Sequence, residues 1–580
     1  MSQIIKQSCI LLISLLFSST TFGSPINKAK ARAIATKVFK QLKSTPTDAV
    51  EVETNLTKTR NATGSAPFHI FNSEDGEGFA VVSGDDALPD VLAYSDCTAF
   101  PTQGEMPPAL SLYLESLSAF VKDLQEGKVN APQQSNGETT GTPVIGPLLT
   151  CQWGQGTPYN LLCPMDGGYN SAVGCIATAM AQIMYYHKWP ERGMGDVSYS
   201  TDVAGVISVD FSQSTYNWSI LKDRYAILDG KKPTGQMVAK LCYDCGVATR
   251  MKYSSSGSGT YDDYVMKALY TNFGYKASNI DIRRRNCFSN QEEWNNLIYS
   301  ELNALRPFQF SAASSKGDDM DAAGHSFVID GYDSNGLVHV NWGWNGSYDG
   351  YYAINIMDCY KYAFSEDQSI VIGIEPDRTG QDKTPHQYRM YVMDSPVASN
   401  SEVKTSSPFY IEINSFYNYC AYQHTFTLGI GLFSIDGKYL NDVTVPDPAH
   451  TILYKPWNGL KEYGEVKCKM PTGIPDGYYC LRLVFKEKGY DDWQLPDMVG
   501  GDYLNCIYIQ IKNGTIYFNE APTAIQSIEG AANEIIRTDY YDLSGRKLDP
   551  QSFPNGLVIK AQTLSNGQRI VRKEWVNKAK

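Results

Sequence analysis

The chain has 580 residues, too many for one hydrophobic core, so three or four domains are expected. Its net charge of −12, with no basic block anywhere along it, excludes a protein that tracks nucleic-acid phosphates. The one apolar run of note lies near the N-terminus and is too short to cross a bilayer, so no membrane span is expected.

In chain order, "MSQIIKQSCILLISLLFSSTTFGSP" reads as an export signal over residues 1–23. Lys6 supplies the positive end, Ile10 to Phe17 the apolar centre, and Ser18 to Gly23 the small residues of a cleavage region. Cys9 precedes the apolar run and does not read as a lipid-modified cysteine. Asn27 to Lys43 has Ala, Val and Leu at helical spacing. Strand-like pieces follow in "PFHIFNSEDGEGFAVVSGDD" and "DVLAYSD", then a second amphipathic helix in "PPALSLYLESLSAFVKDLQEG". These make a small α+β unit ending near Lys128. "VNAPQQSNGETTGTP" has the composition of an exposed, protease-accessible linker. From about Val144 to Asp377, long helices precede strands, and "RTGQDKTPH" is a second linker. Short alternating runs such as "PFYIEINSF", "FTLGIGLFS" and "YYCLRLVFKE" predict a β-sandwich. The last segment, from Ala521, reads as a few hairpins, among them "YYDLSGRKL", "NGLVIK" and "NGQRIVRKEWV".

Thirteen cysteines are scattered through the chain without the spacing of a disulfide framework. Cys242 and Cys245 form a CxxC inside helical apolar periodicity, and no second pair stands nearby to complete a zinc site. Packing inside a helix is the expectation for both.

In "NSAVGCIATAMAQIMYYHKWP", Cys175 falls in the first turn of a predicted helix, whose Ile176, Met180, Ile183, Met184 and His187 form one buried face. A free cysteine more often packs than reacts. At a helix N-terminus, however, unpaired amides and the helix dipole favour a thiolate, so the thiol pKa is expected to fall. His325 lies in "DAAGHSFVIDGYDSNGLVHVNWGW", a hairpin of Ser326–Tyr332 and Leu337–Trp342 about the turn "DSNG". That hairpin is expected to set Asn341 opposite His325, where its amide oxygen would take the imidazole N–H, with Trp342 covering the bond from water. The other six histidines, His69, His187, His339, His386, His424 and His450, read as structural. Gln155, in the glycine-flanked turn of "TCQWGQGTPYN", is placed to supply a second oxyanion donor beside the Cys175 amide. Singly, each of these residues has an ordinary structural explanation. Together they supply a nucleophile, a base, an orienter and an oxyanion donor.

The stretches "GCIATAMAQIMYYHKWP", "GHSFVIDGY", "HVNWGWNG" and "WGQGTPYN" together resemble the streptopain family of secreted bacterial cysteine peptidases, nearest the interpain type with C-terminal extensions. "GFAVVSGDDALPDVLAYSD" resembles that family's inhibitory prodomain, so the likeness spans roughly residues 27–377. The resemblance implies an α+β, papain-like core split between a helical half bearing the cysteine and a β half bearing the histidine. It implies Cys175 as nucleophile, His325 as general base and acid, Gln155 as oxyanion donor, and Asn341 as orienter with Trp342 beside it. It also implies an inhibitory prodomain and processing linker over 24–143 and a catalytic domain over 144–377. The alternating runs place the β-sandwich over 386–515. The small C-terminal β module over 521–580 resembles, more loosely, the sorting modules of proteins exported through a dedicated outer-membrane secretion system, an ordinary β-domain being the alternative. Ala323 and Asn345 depart from glycines usual in the family, beside the histidine. The Ser254–Tyr261 loop resembles one that lines the family's cleft, and Ala313–Gly324 resembles a mobile flap.

The expected function is therefore a secreted cysteine endopeptidase made as a zymogen. Its partners would be protein and peptide substrates, with an apolar side chain accepted two residues before the cleaved bond, and its own prodomain as inhibitor. No metal or organic cofactor is required. The rivals are a surface adhesion protein built on a peptidase scaffold and a Cys–His amidase or acyl transferase.

Overall fold

The computed structural model describes residues 23–519, apart from 44–46, 59–65, 130, 132–140, 314–323, 461–463, 501–504 and scattered positions between 289 and 457, together with four strands within 535–576. The export signal, most of the first linker, Ala323 and the body of the expected flap lie outside the described residues.

The front unit opens with α1 (Lys28–Leu42), which Asn27 caps by accepting the Lys30 amide. Its Ile34, Ala35, Val38 and Phe39 recur at helical spacing and are buried. Four strands follow, β1 (Ala49–Val52), β2 (Phe68–Ser73), β3 (Phe79–Ser83) and β4 (Val91–Ser95), and then α2 (Pro108–Gln125). Strand side chains alternate between two helices. Phe71, Ala80 and Val82 share a core with α1, whereas Phe68, Ile70, Phe79 and Val81 share one with Leu110, Tyr113, Leu114 and Leu117 of α2.

Beyond the linker come β5 (Pro143–Ile145), α3 (Cys175–His187), the hairpin of β6 (Asp196–Thr201) and β7 (Gly205–Asp210), and the helices α4 (Pro233–Ala248) and α5 (Asp262–Asn272). Strand β8 (Asp281–Arg284), helix α6 (Gln291–Asn303) and the strands β9 (Phe308–Ala313), β10 (Gly324–Asp333), β11 (Val338–Asn341), β12 (Gly350–Tyr352) and β13 (Asp367–Ile372) complete this half. One antiparallel sheet runs β1-β2-β3-β4-β12-β11-β10-β9-β13-β8, with β5 added to β10. The seam between front unit and second half is β4 against β12, with Tyr94 opposite Tyr351 and Ala93 opposite Tyr352.

Periodicity decides which side of this sheet each residue serves. Phe327 and Ile329 of β10 and Trp342 lie in the core with α2, while Val328 and Val371 lie in the core with α3. Helix α3 is not amphipathic as expected. Every residue from Ile176 to Tyr185 is buried, while His187 sits half-exposed at the end. The sheet covers one side of α3 and helices α4 and α5 the other, so no face is left for water. Cys242 and Cys245 of α4 are fully buried and unpaired, the latter against the Met184 sulfur at 3.6 Å, as packing predicts.

The C-terminal part has a core of its own. The strands Pro408–Ile413 and Gly464–Lys469 of a small sheet face the long strands His424–Ser434 and Gly477–Glu487 of a seven-stranded sheet, with Ile411, Val466, Leu428, Ile430 and Leu483 between them. Cys480 and Cys506 are disulfide-bonded across 5.8 Å between Cα atoms, a pair that the sequence spacing does not reveal. Four antiparallel strands within 535–576 form a separate sheet.

Arg389 ties the two regions together. Its guanidinium donates to both carboxylate oxygens of Asp281 on β8, at 2.7–3.1 Å, and to Asp497 of the sandwich at 3.2 Å. Tyr388 packs against both cores and shares a 2.8 Å hydrogen bond with Tyr270 of α5. Bidentate, partly buried pairs of this kind hold geometry better than exposed ones. Replacing Arg389 by Ala is expected to loosen the seam, so that trypsin nicks residues 378–387 faster than in the wild type. A gel time-course would read this, and equal rates would assign the docking to the apolar contacts alone.

Candidate active site

The chain before α3 is shaped to present Cys175. Gly174 has φ +90°, and a Cβ there would fall 2.8 Å from the Met251 sulfur and 3.1 Å from the Ser258 carbonyl. Only glycine meets both demands. The preceding residues are held from two sides. Val173 donates to the Gln155 carbonyl at 3.0 Å and Ala172 to the Ser254 carbonyl at 3.1 Å, while the Ser258 hydroxyl donates back to Ala172 at 2.7 Å. Gln155 and the Ser254–Ser258 loop thus flank Cys175, which is half-buried as the first residue of α3. The Gln155 side chain is half-exposed and makes no hydrogen bond among the described residues.

Three amides point at the Cys175 sulfur: its own, that of Ile176, and that of Ser326 on β10. Each favours the thiolate, as a helix N-terminus should. Enclosure by the sheet and helices nevertheless outweighs them and pushes the thiol up from its ordinary value. The expected fall is therefore not found in this state.

His325 neighbours Ser326 in sequence, and its imidazole is enclosed by aromatic rings and a backbone carbonyl. It lies 4 % exposed, stacked 6.4 Å from Phe327 and edge-on 5.9 Å from Trp344. Its Nε2 bonds the Trp342 carbonyl oxygen at 3.0 Å, and no hydrogen bond joins it to Cys175 among the described residues. Burial pushes the imidazole down to about 4, so it is neutral at neutral pH.

Asn341 does not stand opposite His325. The β10–β11 register shifts between Ile329 and Gly331, which pairs Asn341 with Val328. Its Oδ1 accepts from Gln182 of α3 at 2.9 Å and from the Gly343 amide at 3.1 Å, and its Nδ2 donates to the Cys151 carbonyl at 2.7 Å. Asn341 thus clamps the hairpin onto α3 and the Gln155 loop. Trp342 differs too. Its ring packs 4.6 Å from Phe327 and 5.2 Å from Tyr352, and it is the backbone carbonyl of Trp342 that bonds the histidine. The Trp342 amide donates to Asp349, a buried carboxyl pushed up to about 7. Trp344, overlooked in the sequence, is the indole beside the imidazole, and its Nε1 donates to the Glu105 carbonyl of the front unit at 3.2 Å. The second tryptophan of "NWGW" was the available signal. Asn345 takes φ +58°, a left-handed conformation that asparagine tolerates, so the backbone a glycine would adopt there is kept.

Because the thiol in this arrangement is raised and unpaired, alkylation of Cys175 by iodoacetamide in the full-length chain is expected to accelerate steadily into the alkaline range. Mass spectrometry at a series of pH values, with Cys175→Ala as the blank, checks this. A rate plateau beginning below pH 7 would contradict it.

Comparison with known proteins agrees with this architecture. The Peptidase C10 family matches residues 153–352, and the Spi protease inhibitor family matches residues 23–121. The thiol protease/hemagglutinin PrtT of Porphyromonas gingivalis is 26 % identical over 553 residues, 89 % of this chain, which spans only 59 % of that relative's length. Streptopain of Streptococcus pyogenes is 29 % identical over 391 residues, 62 % of this chain and 94 % of streptopain. Among solved structures, a Prevotella intermedia prointerpain A fragment is 31 % identical, covering 57 % of this chain and 99 % of its own, with a TM-score of 0.48. Active interpain A is 38 % identical, covering 40 % and 95 %, with a TM-score of 0.35. With an inhibitor-type segment, then a segment that carries Cys175 and His325, and these relatives at 31 and 38 % identity over nearly their whole length, the chain belongs to the Peptidase C10 family of cysteine peptidases.

Proposed function

We propose that the chain is a secreted cysteine endopeptidase held latent by its own front segment, with Cys175 as nucleophile and His325 as general base and acid. The observation that carries this reading is the meeting of Cys175, at the start of α3, with the Ser326 amide next to His325 and with the Gln155 loop. In the active arrangement His325 takes the Cys175 proton. The thiolate attacks the scissile carbonyl, and the Cys175 amide and the Gln155 side chain hold the oxyanion. His325 then protonates the leaving amine and, in the second half-reaction, activates water against the thioester. The Trp342 carbonyl holds the imidazole, and Asn341 holds the turn that carries that carbonyl.

Latency follows from where the front segment lies. Its α2 packs on the sheet face that bears Phe327 and Trp342, and its Glu105 carbonyl engages Trp344. His325 rests among these same residues, with no hydrogen bond to Cys175 among the described residues. Removing the segment unloads that face and lets the imidazole approach Cys175. Export agrees with residues 1–23 and with a disulfide at Cys480–Cys506, a bond that persists in oxidising surroundings.

A binding role for the C-terminal sheets is a second reading, favoured by the P. gingivalis relative whose name joins thiol protease to hemagglutinin. Haemagglutination by a Cys175→Ala chain would support it without any peptidase activity.

Expression of wild type beside Cys175→Ala, with N-terminal sequencing of every fragment and casein as substrate, tests the main reading. Cys175→Ala is expected to stay unprocessed and inert. After activation, Gln155→Ala is expected to keep measurable turnover, with kcat lower by about 10²–10³-fold, the usual loss of one oxyanion donor. Casein cleavage by Cys175→Ala would refute the nucleophile assignment.

A further inference from the structure

Asp333, the last residue of β10, stands where three parts of the chain meet. Its Oδ1 closes the β10–β11 turn by accepting the amides of Asn335 at 3.0 Å and Leu337 at 2.9 Å. Its Oδ2 accepts the Tyr94 hydroxyl at 3.0 Å, from β4 of the inhibitor-type segment. The Gly141 amide, at the end of the linker, also donates to this carboxylate. Gly141 approaches so closely that a Cβ would fall 2.4 Å from the Asp333 carboxyl carbon, so no other residue fits without displacing it. Asp333 and Tyr94 are 1 % and 2 % exposed, so water does not compete for these bonds.

The two chain segments that reach Asp333 differ in what else holds them. From Gly141 onward the linker is bound chiefly to the peptidase half, although the Tyr94 hydroxyl also lies 3.5 Å from the Gly141 carbonyl. Thr142 and Ser334 exchange two hydrogen bonds, at 2.9 and 3.0 Å, and β5 pairs with β10 opposite Tyr332 and Asp333. Tyr94, by contrast, belongs to the segment that must leave. It faces Tyr351 across the β4–β12 seam, with the two rings stacked 5.0 Å apart at 16°. Its hydroxyl reaches past the seam to a charged partner on β10, three strands along the sheet.

We propose that Asp333 is a shared latch, pinning the start of the peptidase segment through Gly141 and the inhibitor segment through Tyr94, so that maturation cuts before Gly141 and the inhibitor segment leaves by surrendering the Tyr94–Asp333 bond. Residues 141–145 then stay on the enzyme as an added edge strand. Tyr94 is a positioning residue in this scheme: it holds the segment in place and takes no part in peptide-bond chemistry. The inference rests on the zymogen reading above.

The test uses the full chain with Cys175→Ala, so its outcome does not depend on peptidase activity. A recognition sequence for a site-specific protease is built into residues 132–140, the chain is nicked there, and retention of the inhibitor segment is followed by size exclusion over a dilution series. Nicked chain is expected to retain the segment, and Tyr94→Phe to raise its dissociation constant by about tenfold or more, the effect of losing a buried hydrogen bond to a charged group. Tyr351→Phe removes a hydroxyl from the other ring of the stack, one with no hydrogen-bond partner among the described residues, and is expected to leave retention unchanged. The self-processed wild type should begin between residues 132 and 141. Equal retention by Tyr94→Phe and its parent would overturn the latch. So would an equal loss in Tyr351→Phe, or a mature N-terminus beyond Thr142.

Discussion

Most of this molecule depends on the pairing of β4 with β12. Two residue pairs, Tyr94–Tyr351 and Ala93–Tyr352, make the inhibitor-type segment and the peptidase segment into one sheet. The front segment therefore does not plug a finished cleft; it finishes a layer. Tyr113 of α2 lies edge-on to Tyr352, Phe79 tilts against the same ring, and Tyr352 in turn abuts Trp342. A continuous aromatic contact path thus runs from the inhibitor helix to the residue whose carbonyl holds His325. Close-packed interiors transmit displacement because they have little free volume to absorb it. The position of the histidine strand is in this sense a property of both segments.

Charge follows packing. A thiol at a helix start with three amides directed at it would be acidic in an open setting, and an imidazole against a carbonyl would be an ordinary base. Dense enclosure reverses both tendencies, raising Cys175 and lowering His325 to about 4. Each group is neutral, and neutrality costs a buried site far less than an ion pair without ideal geometry. Under the proposed mechanism latency is electrostatic as well as positional, since a thiolate–imidazolium pair needs a more polar or better-aligned setting than this one.

Local signals in the sequence located most of the elements that carry the site. The helix at Cys175, the hairpin at "DSNG" and the front helices all follow from spacing and turn chemistry, which act over a few residues. What escaped notice was non-local. Counting from the turn already carries Asn341 to Ile329, and the irregularity between Ile329 and Gly331 moves it one residue further, to Val328, and brings the chain near Trp344 up to His325. No periodicity marks such a shift, because the alternation of apolar residues continues on either side of it. Helix α3 departs from the amphipathic expectation for a related reason: Gln182 is buried because Asn341 of another element accepts its amide. The join of β4 to β12 and the Cys480–Cys506 bond likewise depend on partners far away in sequence.

Sheet fusion has a consequence for the enzyme after maturation. In the proposed maturation β4 departs and Gly350–Tyr352 becomes a free sheet margin, with backbone groups open to pairing by an extended chain. That margin is only three residues long, which gives a stray chain little to pair with. Its first residue is a glycine whose partner backbone came within 2.5 Å of where a Cβ would stand. A short, closely contoured edge of this kind suits a protein that must shed one strand without gathering others, and it limits the self-association that sheet-forming proenzymes risk when they lose a layer.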